Sequence, residues 1–224
     1  MFKMQGYHYS LLILLLAGVY FLATDDLLTG RLWGIDTHIW FWIAVGDAVV
    51  HQIIVTLLWR AELYHQKMTE WFGDQAFLVY KVIFTILFVG RPITLILLAI
   101  SNANTLNLNP AIAYLLAVVL FIPVAYTLYS VIHYFGLNRA FGEDHFNPEK
   151  YRNMPFVKQG MFKYTDNAMY KFAFLILWAL AIVFQSKAAL LVAAFSHIYI
   201  WVHFYFTELP DIEYIYGDSS KESI

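Results

Sequence analysis

Long apolar runs alternate with short polar connections along the chain. Six runs have the length, or nearly the length, of helices in lipid: about Tyr7 to Thr24, Thr37 to Trp59, Ala76 to Ile100, Ala111 to Tyr134, Met169 to Gln185 and Ala188 to Phe206. Crossing a hydrocarbon core of about 30 Å takes about 20 helical residues. The first and fifth runs are short by that measure, so four to six spans are expected. The connection Ser101 to Pro110 is Asn-rich and uncharged. The connection from Asn138 to Ala168 is too polar for lipid, yet it carries Phe141, Phe146, Tyr151, Phe156, Phe162 and Tyr164, which predicts a segment folded onto the membrane surface. Pro123 predicts a kink in the fourth run, Gly136 a helix stop, and Thr165-Asp166-Asn167 an N-cap for the fifth.

Composition supports this pattern. Hydrophobic residues make up 61% of the 224 and charged residues 13%, outside the range of a soluble domain. The expected fold class is therefore all-α, a polytopic integral membrane helical bundle of about six transmembrane helices. Trp33, Trp40, Trp42 and Trp59 fall near predicted helix ends, where interfacial rings are favoured. The first run lacks a small-x-small cleavage site and is followed by Asp25-Asp26, so it is expected to be a retained helix. With no cysteine, disulfides, thiolate metal sites and cysteine nucleophiles are excluded. No metal site is expected, and a net charge of −2 gives no sign of nucleic-acid binding.

Charge asymmetry sets the expected orientation, because short cytoplasmic loops keep Lys and Arg. One side holds Lys3, Arg60, Lys67, Arg139, Lys150, Arg152, Lys158, Lys163 and Lys221, and the other only Arg31 and Lys187. Both termini and the 135–168 loop are thus expected in the cytoplasm, with Lys81 and Lys171 snorkelling to the same side. Within the spans, Asp47 and His51 share a face of the second helix and Arg91 lies midway along the third. Intramembrane charges face the interior or a water-filled path, so these three read as a buried pair with a histidine hydrogen bond, or as a transport path.

The chemically capable residues concentrate in the last third. One stretch reads Phe141-Gly142-Glu143-Asp144-His145-Phe146, a second Gly160-Met161-Phe162-Lys163-Tyr164, a third Asp166-Asn167-Ala168-Met169-Tyr170, and a fourth Phe206-Thr207-Glu208-Leu209-Pro210-Asp211. Gly142 and Gly160 allow close backbone approach. A helix start near Asn167 offers N–H groups to an anion. His197, Trp201, Tyr205 and Glu208 share one helical face, and Glu208 is a carboxylate suited to a cationic ligand.

The order of these stretches resembles the membrane methyltransferases that include phosphatidylethanolamine N-methyltransferase and isoprenylcysteine carboxyl methyltransferase, over roughly Ala111 to Gly217. That family carries a Gly-rich acidic-aromatic stretch, a Gly-x-Phe/Tyr-x-Tyr element, an Asn-Pro-Met-Tyr or Arg-His-Pro-x-Tyr motif, then Glu-Glu and a tail ending in Tyr or Tyr-Gly, resembled here by Tyr216-Gly217. Ala168 stands where the family has proline, Thr207 where it has the first glutamate, and the Gly-x-Gly of some members is absent from Phe121 to Pro123. Asn-x-Met-Tyr resembles the phospholipid branch more than the prenylcysteine branch.

The resemblance implies a scaffold of helices at 1–110 and a methyltransferase-like membrane core at 111–224 with a cytoplasmic cofactor site. It implies S-adenosylmethionine as cofactor, held by Gly142, Gly160, Tyr164, Asn167, Met169, Tyr170, Thr207 and Glu208. The implied reaction is methyl transfer to the amine of a phosphatidylethanolamine-type lipid. His145 or Glu208 would take the ammonium proton, and Arg139, Arg152 or Lys158 would meet the lipid phosphate. Alternatives are another lipid-phase acceptor, such as a prenylated cysteine carboxylate or a small thiol, and a small transporter using Asp47, His51 and Arg91. The halves show no internal repeat of the kind transporters carry. The partners expected are the lipid substrate and the bilayer of a bacterial inner membrane or endoplasmic reticulum, and oligomeric state is left open.

Overall fold

The structure is a computed structural model that describes residues 1–152 and 154–217. Lys221, counted among the cations of one side, lies outside the described residues. Eleven α-helices and one small hairpin are present among them: α1 (Gln5–Leu22), β1 (Arg31–Leu32), β2 (Ile35–Asp36), α2 (Thr37–His65), α3 (Lys67–Phe72), α4 (Ala76–Ser101), α5 (Pro110–Ser130), α6 (Leu137–Ala140), α7 (Glu143–Phe146), α8 (Pro148–Tyr151), α9 (Leu175–Val183), α10 (Lys187–His203) and α11 (Leu209–Tyr216).

Five stretches are long and apolar enough to cross a membrane: Gln5–Leu22, Thr37–His65, Lys67–Ser101, Pro110–Phe135 and Lys187–Tyr216. The first apolar run is among them. The fifth run is the short one, a continuous helix only over Met169–Val183. The protein is a multi-pass membrane helical bundle, and its lipid-facing surface is correspondingly apolar, as on α5, where Ile112, Leu115, Val118, Val119 and Ile122 are exposed.

Helix α10 is central and packs on α1, α2, α4 and α9, while α5 packs on α9. The buried core between them is rich in small residues: Ala44, Ala48, Ala99, Ala181, Ala189 and Ala193 are at most 2% exposed. Lipid provides no hydrophobic drive between helices, so close backbone approach through small side chains supplies dispersion contact instead.

At one end of the bundle a single side chain makes four bonds to two other segments. Asn102, at the end of α4, donates to Leu27 O at 3.0 Å and Thr29 O at 2.8 Å, and accepts from Ser186 Oγ at 2.9 Å and Ala188 N at 3.0 Å. Asn102 thus satisfies backbone groups of two other segments at once, the 27–29 loop and the start of α10. Its neighbours obey local rules: Asn109 caps α5 with Pro110 in the first turn, and Ser186 caps α10. Trp33 and Gly34, both at positive φ, turn the hairpin from β1 to β2.

At the other end, residues 1–5, the close of α2, the 135–168 segment and α11 come together. Here three helices are interrupted by π turns, at Val131–Phe135, Met169–Ala173 and Phe204–Glu208. The last has a legible cause. Pro210 has no N–H to give to Phe206 O, which instead accepts from Gln5 Nε2 at 3.0 Å and Arg60 Nη2 at 3.4 Å. The Met169–Ala173 turn begins without a side-chain cap, because Asp166 pairs with Lys158 at 2.6 Å. The capping expected of Thr165-Asp166-Asn167 is therefore not realised by a side chain.

Asp47 and Arg91 form no ion pair within 4 Å among the described residues. Arg91 Nη2 donates to Ala48 O at 3.3 Å and its guanidinium lies 5.4 Å from the Phe174 ring, while Asp47 stands against Gly90, where a Cβ would come 2.9 Å from Oδ1. His51 packs edge-on against Phe84 at 5.2 Å instead of bonding either. The expected pair with a histidine hydrogen bond is replaced by packing, because Gly90 makes room for the carboxylate beside the helix and the Arg91 guanidinium finds a backbone carbonyl and an aromatic face.

Candidate active site

A cavity of about 390 Å³ opens where the three π turns meet. A π turn widens a helix by one residue and re-aims its side chains. The consequence here is that Phe135, Met169, Tyr170, Phe204 and Glu208, all within those turns, face one space. Trp59 from α2 closes one wall, Asn167, Asp166 and Lys171 another, and Gly142, Asp144 and His145 a third.

The cavity's polar wall, with Arg139, Asp144, His145 and Tyr216, continues into buried charges behind it. His145 Nδ1 lies 3.0 Å from Asp144 Oδ1, Tyr216 Oη donates to Asp144 Oδ2 at 3.0 Å, and Arg139 Nε donates to Tyr216 Oη at 3.2 Å. On the other side His145 Nε2 sits 3.7 Å from Asp211 Oδ2, an ion-pair separation without a hydrogen bond. Asp211 in turn accepts from Arg60 Nε at 3.1 Å and from Tyr64 Oη at 3.1 Å. The imidazole stacks on the Trp59 indole with centroids 4.1 Å apart and planes 16° from parallel. Gly142, at φ +85°, permits this stack: a Cβ there would lie 2.5 Å from the Trp59 ring.

This wiring decides protonation. Burial pulls the His145 pKa down, but the charge and hydrogen bond of Asp144, with Asp211 behind them, raise it to about 9. Burial pushes the Asp144 carboxyl up, and the His145 charge, the bonds from His145 and Tyr216, and Arg139 hold it below the usual carboxylate range. At neutral pH His145 is an imidazolium between two carboxylates. A group whose folded pKa is raised stabilises fully below its unfolded value near 6.5 and loses that contribution as pH climbs through about 9. We therefore expect melting temperature in detergent to fall between pH 6.5 and 9.5 in the parent protein, by a share worth on the order of 3 kcal/mol. In His145→Gln that share of the slope should vanish, and an identical slope in both proteins would disprove the assignment.

Glu208 lines the same cavity, and Tyr170 Oη donates to its Oε2. Trp201 and Phe204 pack on the Tyr170 ring at 6.0 and 5.5 Å, which fixes the phenol against the carboxylate.

Of the residues singled out in the sequence, Arg139, Gly142, His145, Asn167, Met169, Tyr170 and Glu208 line the cavity. Five stand elsewhere. Thr207 is fully buried on the far face of its turn, bonded to Gln5 Nε2 and His8 Nδ1, since helical geometry turns neighbours to different faces. Gly160 packs on α5, where a Cβ would lie 2.5 Å from Ser130 Oγ. Tyr164 is 72% exposed. Arg152 pairs with Glu149 at 2.9 Å on the surface, and Lys158 pairs with Asp166 at 2.6 Å without itself lining the cavity. Conversely, Trp59, Arg60 and Tyr64 come from the half of the chain expected to act as scaffold. Trp59 carried an interfacial signal and Arg60 a charge-asymmetry signal, but nothing in their spacing pointed to a site 80 residues downstream.

Residues 112–219, just under half of the chain, match the family model for phospholipid methyltransferase. No curated protein and no solved structure matches the chain. The matched segment runs from α5 through α11 and supplies every cavity residue except Trp59. The transporter reading of Asp47, His51 and Arg91 gains nothing from it. Through residues 112–219 the chain is similar to the phospholipid methyltransferase family, which comprises integral membrane enzymes.

Proposed function

We propose that the methyl donor is S-adenosylmethionine, that the acceptor is the amine of a phosphatidylethanolamine-type lipid, and that both meet in the cavity between Glu208 and His145. The observation that carries this reading is that two unlike charged groups line one space: the Tyr170-bonded carboxylate of Glu208 and the imidazole of His145 paired with Asp144.

The residues present suit such a donor. A volume of about 390 Å³ falls within the roughly 300–1,000 Å³ of small-molecule sites. Trp59, Phe135, Tyr170 and Phe204 offer ring faces to a base, Glu208 an acceptor for an amine, and Lys171 a cation for a carboxylate. When bound, S-adenosylmethionine supplies an electrophilic methyl on a sulfonium. The chain's own part is to align the lipid amine with that methyl and to keep water out. Glu208 takes the proton that the lipid ammonium must lose before its lone pair can attack. In this scheme His145 is a positioning cation and not the base, because at neutral pH it already holds its proton. Arg139 meets the lipid phosphate, whereas Arg152 and Lys158 serve the anionic membrane surface.

The Lys/Arg asymmetry supports a cytoplasmic position for this end of the bundle and for both termini, in a bacterial inner membrane or the endoplasmic reticulum. Residues 1–110 serve as scaffold while also lending Trp59 to the cavity. The test is incubation of purified protein in detergent with methyl-labelled S-adenosylmethionine and mixed lipids, followed by thin-layer separation. Label is expected in mono-, di- or trimethylated phosphatidylethanolamine. Label in a prenylcysteine ester or a small thiol, or none in lipid, would overturn the acceptor assignment.

A further inference from the structure

Arg139 occupies an unusual place for a cation. Its guanidinium carbon lies 4.9 Å from the centre of the Phe135 ring, 5.2 Å from Tyr216, 5.8 Å from Tyr151 and 5.9 Å from Phe156. All four rings fall within the about 6 Å at which a cation is drawn to a ring. They come from three parts of the chain: the π turn after α5, the stretch from α8 to Phe156, and α11. Three of them, Phe135, Phe156 and Tyr216, also line the cavity.

The box is held together by contacts other than Arg139. Phe135 stacks on Phe162 at 4.9 Å, Phe156 packs on Tyr216 at 5.2 Å, Tyr151 Oη donates to Glu143 at 2.6 Å, and Tyr216 Oη to Asp144 at 3.0 Å. Arg139 itself is held lightly. Among the described residues it has no carboxylate within 4 Å, and its hydrogen bond is the one from Nε to Tyr216 Oη. A preformed aromatic box beside a reaction cavity, filled by a half-buried and weakly tethered cation, is a site with a removable occupant.

Methylated ammonium groups are the cations such boxes suit best, because each methyl removes an N–H that would need a partner and adds apolar surface for the ring faces. Resting on the reading of the cavity as an aminophospholipid site, we propose that Phe135, Tyr151, Phe156 and Tyr216 receive the methylated ammonium of the lipid headgroup, and that Arg139 leaves this box to pair with the headgroup phosphate. Ammonium and phosphate are joined by two methylenes, so the arginine that yields the box meets the anion beside it. The box then favours partly methylated lipid over unmethylated lipid and retains it for the next transfer.

Calorimetric titration of the purified full chain in detergent tests this, with tetramethylammonium chloride as the cation probe and phosphocholine as the probe that also carries phosphate. Arg139→Gln should bind tetramethylammonium at least tenfold more tightly than the parent, because the box is vacated. Tyr216→Phe, which loses the hydroxyl that accepts from Arg139 and donates to Asp144 but keeps the ring packed on Phe156 at 5.2 Å, should shift affinity the same way. Adding Phe156→Leu to Arg139→Gln should reverse the gain, and Arg139→Gln should lose the parent's preference for phosphocholine over tetramethylammonium. Unchanged or weaker tetramethylammonium binding in both Arg139→Gln and Tyr216→Phe overturns the box. The lipid-labelling assay on the parent protein separates the two readings: labelled phosphatidylethanolamine without these shifts removes the box alone, whereas the shifts without lipid labelling keep a cation site and remove the acceptor assignment.

Discussion

Glu208→Gln is expected to lower kcat/KM for methyl transfer by about 10²–10⁴-fold, the usual contribution of a positioned general base. The amide has nearly the shape of the carboxylate and can still accept from Tyr170 Oη, so the helix turn and the cavity wall should stay in place. What is lost is the ability to take a proton from the lipid ammonium, along with the negative charge that favours a cation at that wall. The measurement is the initial rate of label transfer at saturating donor, beside a melting curve. Melting within a degree or two of the parent with a rate loss of that size locates the effect in the chemistry. A rate within twofold of the parent would move the base elsewhere on the cavity wall.

The second large effect is structural and falls on Arg60, which is 1% exposed. Its guanidinium bonds Asp211 Oδ2 at 3.1 Å, the carbonyls of Met1 and Lys3 at 3.0 and 2.7 Å, and that of Thr207 at 3.0 Å. One side chain thus joins α2, the start of the chain, the last π turn and α11. Removing one partner of a buried pair strands the other charge, at a cost of about 3–5 kcal/mol. Arg60→Met should therefore lower the melting temperature by roughly 10 °C and reduce activity, because Asp211 also faces His145 at 3.7 Å. Adding Asp211→Leu should recover part of the loss, since the stranded charge is gone; the two changes share one contact and are not expected to add. A loss below about 1 kcal/mol for Arg60→Met would show that this junction does not hold the site end together.

The membrane bundle was legible from apolar run lengths because lipid imposes one local rule: each backbone group must be paired within its own helix over about 20 residues. The rule reads short-range pattern, and it located every apolar helix. It is weakest where helices depart from regularity, and the departures here are the π turns at 131–135, 169–173 and 204–208. Their causes are nonlocal, as with Phe206 O, released by Pro210 and taken up by Gln5 and Arg60 some 150 to 200 residues away.

The candidate site divides along the same line. Glu208, His145, Asn167, Met169 and Tyr170 were visible as polar or aromatic residues clustered near the ends of apolar runs, where side chains have no lipid-facing duty. Thr207 and Gly160 carried similar motif signals but turn away, because a step of one residue on a helix rotates a side chain by about 100°. Trp59 and Arg60 carried signals with ordinary membrane meanings and become site residues only through the stacking on His145 and the bond to Asp211.

The sequence by itself determined that this chain lies in a membrane, which residue types can do chemistry there, and that the chemistry belongs to the last third, since composition and local periodicity carry that information. Only the tertiary structure decided that His145 is held between Asp144 and Asp211, that Glu208 lines the same cavity, and that Arg139 sits inside four aromatic rings. Those facts depend on residues far apart in the chain meeting within a few ångströms, where distance and burial set charge, and no local pattern encodes a distance.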